Sequence, residues 1–160
     1  KDFQQSIALR PDYAIALLNL GNVYRREGVF AKAGEVLMQA LKIEPDNPEI
    51  SYSLGMLYAQ QNQMQPAADY LQKAIELRPN YPEARNNLGI LFVQLQDYSK
   101  AEQQFKDCIN VAPTFDQAYL NLARLYAIQN ERANARDVLQ ELLRIKPASP
   151  EANQLLQMLH

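Results

Sequence analysis

Residues 19–24 of the chain read Asn-Leu-Gly-Asn-Val-Tyr, and every 34 residues the pattern returns, as Ser-Leu-Gly-Met-Leu-Tyr at 53–58, Asn-Leu-Gly-Ile-Leu-Phe at 87–92 and Asn-Leu-Ala-Arg-Leu-Tyr at 121–126. Prolines keep the same interval at Pro11, Pro45, Pro79, Pro113 and Pro147. A fixed period of this length is the signature of a repeat protein. The sequence therefore divides into a partial unit at 1–13, four repeat windows at 14–47, 48–81, 82–115 and 116–149, and a tail at 150–160.

Each repeat window predicts two helices joined by a short turn. Apolar residues recur at helical spacing twice within a window, and Asn47-Pro48-Glu49 combines a capping side chain, a proline suited to the first helical turn and an acid at the positive helix end. The first helices are expected near 15–27, 48–61, 82–95 and 116–129. The second helices are expected near 31–43, 65–77, 99–111 and 133–145.

Small residues recur at two places in each window and predict where the two helices cross. Gly21 is expected to face Ala33 across a close approach, and Leu20, Tyr24 and Leu37 are expected to fill the space around it. Each window should therefore form a tightly packed helical hairpin.

With its Asn-Leu-Gly-x-x-Tyr motif followed by Ala33, Ala40 and Pro45, the chain resembles the tetratricopeptide repeat (TPR) family over nearly its whole length. The resemblance implies an all-α fold and a single domain over 1–160. The domain is expected to be a right-handed α-α superhelix of four full hairpins, with a leading half-repeat and a C-terminal capping helix. Ala123 in place of the small glycine, and Leu142 in place of a later alanine, depart from the family pattern.

The two ends of the chain give separate predictions. Leu155, Leu156 and Leu159 should cover the fourth hairpin, since a repeat stack needs a cap with a polar outer face. At the other end the chain starts inside a helical pattern, which predicts a fragment of a longer protein. Phe3 and Ile7 would then be partly uncovered, and we expect homo-oligomers to form through this open N-terminal end.

The resemblance implies that the first helix of each hairpin lines an inner, concave face that is free to bind a peptide. The residues expected to contact a partner on this face are Asn19, Asn22, Tyr52, Ser53, Met56, Asn86, Asn87, Ile90, Leu120, Asn121 and Arg124.

One column of this face, formed by Asn19, Ser53, Asn87 and Asn121, recurs at the repeat period. A carboxamide offers both a donor and an acceptor, so a row of them can pair with the peptide units of an extended ligand. Alternatively, these side chains only solvate the face or tie neighbouring helices together. Members of this family that clamp acidic chaperone tails use cationic groove residues, and Glu83 disfavours that partner.

Composition excludes several other functions. With 16 basic and 18 acidic residues the net charge is −2, which argues against nucleic-acid binding, and no apolar run is long enough to insert in a membrane. The single histidine is His160, and Cys108 occupies a place where other windows have alanine, so we expect it to be buried. We therefore predict no catalytic residues, no cofactor and no metal, and a soluble protein with a cytoplasmic location favoured.

The sequence thus favours a protein-protein interaction module that binds an extended or helical peptide segment. The alternative is a structural or self-assembling scaffold that spaces out a catalytic domain lying elsewhere in the parent protein. The ligand and the pathway are not encoded in any motif of the chain.

Overall fold

The computed structural model describes residues 11–159, with side chains from residue 13 onward. The described part is entirely helical and contains no strand. Its helices are α1 (Pro11–Arg26), α2 (Phe30–Ile43), α3 (Pro48–Gln60), α4 (Met64–Leu77), α5 (Pro82–Gln94), α6 (Tyr98–Val111), α7 (Asp116–Ile128), α8 (Arg132–Ile145) and α9 (Pro150–Met158). The expectations for Phe3 and Ile7, and for association through the N-terminal end, lie outside the described residues.

Local capping explains why the helices begin where they do. Asn47 accepts hydrogen bonds from the backbone N–H groups of Glu49 (2.9 Å) and Ile50 (3.3 Å), and Ser149 accepts one from the N–H of Ala152 (3.4 Å). These bonds satisfy N–H groups that a helix start leaves without an intrahelical partner. The expected helix limits agree with the structure to within one residue, except that α1 begins four residues earlier than expected.

The turn inside each hairpin has the same backbone geometry. A residue with positive φ follows the first helix, and these residues are Gly28, Asn62, Gln96 and Asn130. The next backbone N–H then donates to the carbonyl of the aromatic residue that ends the repeated motif, as in Val29 to Tyr24 at 2.9 Å and Glu131 to Tyr126 at 2.8 Å. This closure satisfies a helix C-terminal carbonyl and reverses the chain.

The helices belong to two compact units, one up to Pro79 and one from Asn80. In the first unit, Leu37, Ile50 and Leu54 belong to a core contributed by α1, α2 and α3. In the second unit, Phe105 and Leu139 belong to a core contributed by α6, α7, α8 and the C-terminal helix α9. The assignment of residues 1–160 to a single domain stays a prediction.

Helices cross closely at the repeated glycines, but the nearest partner differs from the expected alanine. A Cβ atom added to Gly21 would lie 2.6 Å from Leu37 Cγ, whereas the nearest atom of Ala33 is its carbonyl oxygen at 3.5 Å. The same addition at Gly89 would lie 2.5 Å from Phe105 Cε1. The glycine therefore makes room for a large side chain one turn beyond the alanine.

The expectation that Leu20 fills the first hairpin is wrong. Leu20 is 41% exposed, whereas Leu54 and Leu122, at the same place in later repeats, are buried. Leu54 belongs to a core that includes α2, and Leu122 belongs to a core that includes α6. In both cases this helix is the second helix of the preceding hairpin. No described hairpin precedes Leu20.

Helix α9 caps the second unit as the sequence predicts. Leu155, Leu156 and Leu159 pack against the core, while the polar residues of the helix stay exposed. The exposed polar residues are Glu151, Asn153, Gln154 and Gln157. Arg136 on α8 also donates a hydrogen bond to the Leu159 carbonyl at 2.6 Å, which ties the end of the cap to the hairpin beneath it.

Candidate protein-interaction surface

In the first unit the predicted surface residues lie on α1 and α3 at different depths. Asn19 is exposed, and Asn22, Tyr52 and Met56 are half-buried. Ser53 is buried, so the expectation that its hydroxyl is open to a partner is wrong. A side chain this short does not extend past its larger neighbours on the helix.

In the second unit the predicted residues lie on α5 and α7. Ile90 and Arg124 are exposed, and Asn87 and Asn121 are half-buried. Asn86 is buried, and its side chain accepts a hydrogen bond from the half-buried Asn121.

The expectation that Leu120 lies on the open face is wrong. The residue is 1% exposed and belongs to the hydrophobic core of the second unit. Helix α7 contacts α5, α6 and α8, so most of its circumference is covered and only a narrow strip faces solvent. Arg124 and Ile128 lie on that strip.

A chain of hydrogen bonds connects the buried and exposed residues of the second unit. Asn121 Nδ2 donates to Asn86 Oδ1 at 2.9 Å, which joins α7 to α5. Arg124 Nη1 then donates to Asn121 Oδ1 at 3.1 Å. Asn121 therefore ties neighbouring helices, the alternative role considered for this column, and it also orients a cation at the surface.

The first unit holds an arginine in a similar way. Arg25 Nε donates to Asn22 Oδ1 at 3.4 Å, and its Nη1 donates to Gln60 Oε1 at 3.3 Å. Burial lowers the pKa of Arg25, an effect partly opposed by the nearby Tyr52. Both of these contacts of the guanidinium are to neutral amide oxygens, so neither of them neutralises its charge.

An apolar cleft of about 400 Å³ lies at the C-terminal end of the second unit. Its lining is contributed by α7, α8 and α9 together with Leu159, and consists of Ala123, Arg124, Ala127, Ile128, Leu139, Leu155, Met158 and Leu159. Ile128 is 57% exposed and Met158 is 68% exposed, so the rim of the cleft is apolar and open to solvent.

Cys108 is buried, as its place in the repeat predicts. Its thiol donates to the Pro82 carbonyl at 3.2 Å, and burial raises its pKa to about 12. A thiol that stays protonated is a poor nucleophile. Among the residues that the structure describes, no group of three or more histidine, cysteine or acidic side chains is placed to hold a metal ion.

Three family models described as tetratricopeptide repeat match residues 20–85, 70–103 and 96–159. The chain belongs to the tetratricopeptide repeat family. The predicted fold class, an all-α TPR solenoid built from helical hairpins, is thereby confirmed.

Solved structures agree with this assignment. PilF of Pseudomonas aeruginosa superposes with a TM-score of 0.82 at 20% identity, over 94% of this TPR chain and 68% of that chain. YrrB, described as a TPR protein with an unusual peptide-binding site, gives 0.76 at 28% identity, over 93% and 77%. One crystal structure of MamA gives 0.78 at 26% identity, over 91% and 85%.

Another match covers a much smaller share of its partner. The TPR chain spans 29% of the matched chain in the APC/C hetero-tetramer Cut9–Hcn1, at 22% identity and a TM-score of 0.78. No curated protein matches the chain in sequence. In the described part of the TPR chain, no helix has both the length and the hydropathy needed to cross a bilayer.

The sequence prediction placed Arg124 on this TPR surface but did not identify the apolar cleft beside it. Met158 lies 34 residues after Arg124, so α9 occupies the place that the first helix of a further repeat would take. Extending the period through the tail would have placed Met158 beside α7.

Proposed function

We propose that this TPR chain is a protein-interaction module whose first helices bind an extended or helical segment of a partner protein. The observation that carries the proposal is the exposed strip on α7, where Arg124 is oriented by Asn121 and lies beside apolar Ile128. A surface that combines fixed polar groups with accessible apolar side chains suits peptide recognition.

Two further observations support the proposal. YrrB, 28% identical to this chain, is described as carrying a peptide-binding site. In the first unit, Arg25 is hydrogen-bonded to the half-buried Asn22 and lies near the half-buried Tyr52, and Met56 on α3 adds a half-buried apolar side chain. We infer a binding role without catalysis, because the buried thiol of Cys108 and the exposed carboxylates offer no activated group.

Quantitative peptide binding tests the proposal. Peptides selected by phage display against the purified chain would be titrated by fluorescence anisotropy against Asn87→Ala and Arg124→Ala. Each variant should weaken binding by about tenfold, the effect of losing roughly 1.4 kcal/mol. Gln140→Ala, at an exposed position on α8, is the matched control and should leave the affinity unchanged. Equal affinities for all variants would contradict the proposal.

A second function, self-association of a scaffold, is favoured by a different observation. Tyr13, Leu20 and Val23 are large exposed apolar residues on α1, and exposed apolar patches often mark interfaces. Sedimentation velocity over a range of concentrations tests this function. Leu20→Glu should shift an oligomer to monomer, and a chain that is monomeric at every concentration would remove the scaffold reading.

A further inference from the structure

Among the residues that the structure describes, one charged side chain lines the apolar cleft at the end of the second unit. This side chain is Arg124, and the other described residues of the lining are aliphatic or methionine. We propose that this cleft binds a partner segment in which a large apolar side chain lies next to a carboxylate. The proposal rests on the interaction function above and names the chemistry of the partner.

The guanidinium of Arg124 is positioned to bind an anion. Arg124 Nη1 donates a hydrogen bond to Asn121, and Asn121 in turn donates one to the buried Asn86. Residues on two helices therefore fix the orientation of the guanidinium. No carboxylate of the described residues forms an ion pair with Arg124. A guanidinium has five N–H donors, so most of them remain available for a bidentate bond to a carboxylate.

The volume and apolar lining of the cleft can accommodate a large apolar side chain. Its volume of about 400 Å³ falls within the range of roughly 300–1,000 Å³ typical of ligand clefts. Met158 and Ile128 at the rim lose solvent exposure when the cleft fills, and the flexible thioether of Met158 adapts to the shape of the incoming group.

Charge complementarity decides between a neutral and an acidic partner. A neutral apolar segment that filled the cleft would remove water from the Arg124 guanidinium without replacing its hydrogen bonds. A segment with Asp or Glu beside the apolar residue restores them with a charge-assisted bond. The structure therefore favours an acidic–apolar peptide over an apolar one of the same length.

Methyl NMR provides a direct test, because the chain has four methionines and Met158 is the one at the cleft. Three synthetic peptides would be titrated, each with a Gly-Ser host around a central Asp-Leu, Asn-Leu or Asp-Ala pair. The Asp-Leu peptide should shift the Met158 methyl signal saturably, with at least about fivefold tighter binding than the other two. Met38 on α2 is the internal control and should not shift.

Variants separate charge recognition from apolar contact. Arg124→Gln replaces the charged guanidinium with a neutral amide and should make the Asp-Leu and Asn-Leu peptides bind equally. Ile128→Ser should weaken the binding of both peptides. Both residues are exposed, so the variants should keep the helical circular dichroism of the parent. An unmoved Met158 signal, or equal binding of the Asp-Leu and Asn-Leu peptides to the parent chain, overturns the proposal.

A free fatty carboxylate shares the same chemistry and forms another arm of the test. If decanoate shifts Met158 and the Asp-Leu peptide does not, the occupant is a small amphiphile and the peptide proposal is overturned. If phage-selected peptides bind through Asn87 but are unaffected by Arg124→Gln and Ile128→Ser, the interaction function stands and this inference fails.

Discussion

Replacing Gly89 by alanine tests whether helix crossing, rather than helix propensity, determines this position. Gly89 lies inside α5, and an alanine Cβ there would lie 2.5 Å from Cε1 and 2.8 Å from Cδ1 of Phe105. The aromatic ring is 1% exposed and lies within the core, so it has little room to move away.

Two opposing effects set the magnitude. Alanine in place of glycine in a helix interior stabilises by about 0.5–1 kcal/mol. Overpacking a well-filled core costs about 1–3 kcal/mol. At the distances given for Phe105 the steric cost is the larger effect, and we expect Gly89→Ala to lower the free energy of unfolding by about 1–2 kcal/mol.

Gly34 provides a matched control within the same chain. It also lies inside a helix, α2, but an added Cβ would meet only Leu57 Cδ2 at 3.5 Å, an ordinary contact. Gly34→Ala should therefore stabilise the chain by about 0.5–1 kcal/mol through helix propensity alone. The two substitutions are chemically identical and should have opposite signs.

The assay is urea denaturation followed by circular dichroism at 222 nm, with a double variant as the second arm. The fourth repeat pairs Ala123 with Leu139 at the corresponding places, so Phe105→Leu should relieve part of the cost of Gly89→Ala. We expect a favourable coupling of about 1 kcal/mol between the two substitutions. If Gly89→Ala is as stabilising as Gly34→Ala, the close crossing is not what requires glycine.

Three further predictions concern single side chains. Leu120→Ala should cost about 2–5 kcal/mol in denaturant titrations because the residue is buried, and Ile90→Ala at an exposed position about 0.5 kcal/mol or less. The pKa of Cys108 is raised from 9.0 to about 12. The stability that its neutral thiol contributes is therefore complete below pH 9 and is lost as the pH rises toward 12. Cys108→Ala should flatten the pH dependence of the free energy of unfolding over this range. Tyr126→Phe removes a 2.8 Å hydrogen bond to Glu102 and should lower the free energy of unfolding by about 1–2 kcal/mol. The hydrogen bond from Lys106 lowers the pKa of Glu102. The stability contributed by this carboxylate is therefore lost as the pH falls below 4.5.

The fold could be predicted closely because its signals are local and repeated. The period places each helix, and capping residues such as Asn47 and Ser149 fix where helices begin. These signals depend only on nearby residues. The exposure of Leu20 could not be predicted, because burial depends on what packs against a residue and the helical pattern of α1 does not report this.

The depth of each surface residue could not be predicted from the period. Tyr52, Asn86 and Leu120 occupy the same place in successive repeats, yet Tyr52 is half-buried and the other two are buried. The period gives the direction in which a side chain leaves its helix, and the size of its neighbours determines how much solvent it meets. The bond from Asn121 to Asn86 depends on this packing and has no sequence motif.

The hairpin turns close through backbone atoms, with the same N–H to carbonyl bond at each tip. Gly28, Asn62, Gln96 and Asn130 are all exposed and have only their positive φ in common. Natural variation is therefore free to diversify these tips, and an engineer could graft a short binding loop there while leaving both cores intact. The side chain of Gln96 disfavours this conformation by about 1 kcal/mol. A graft that replaces Gln96 would therefore lose the least stability.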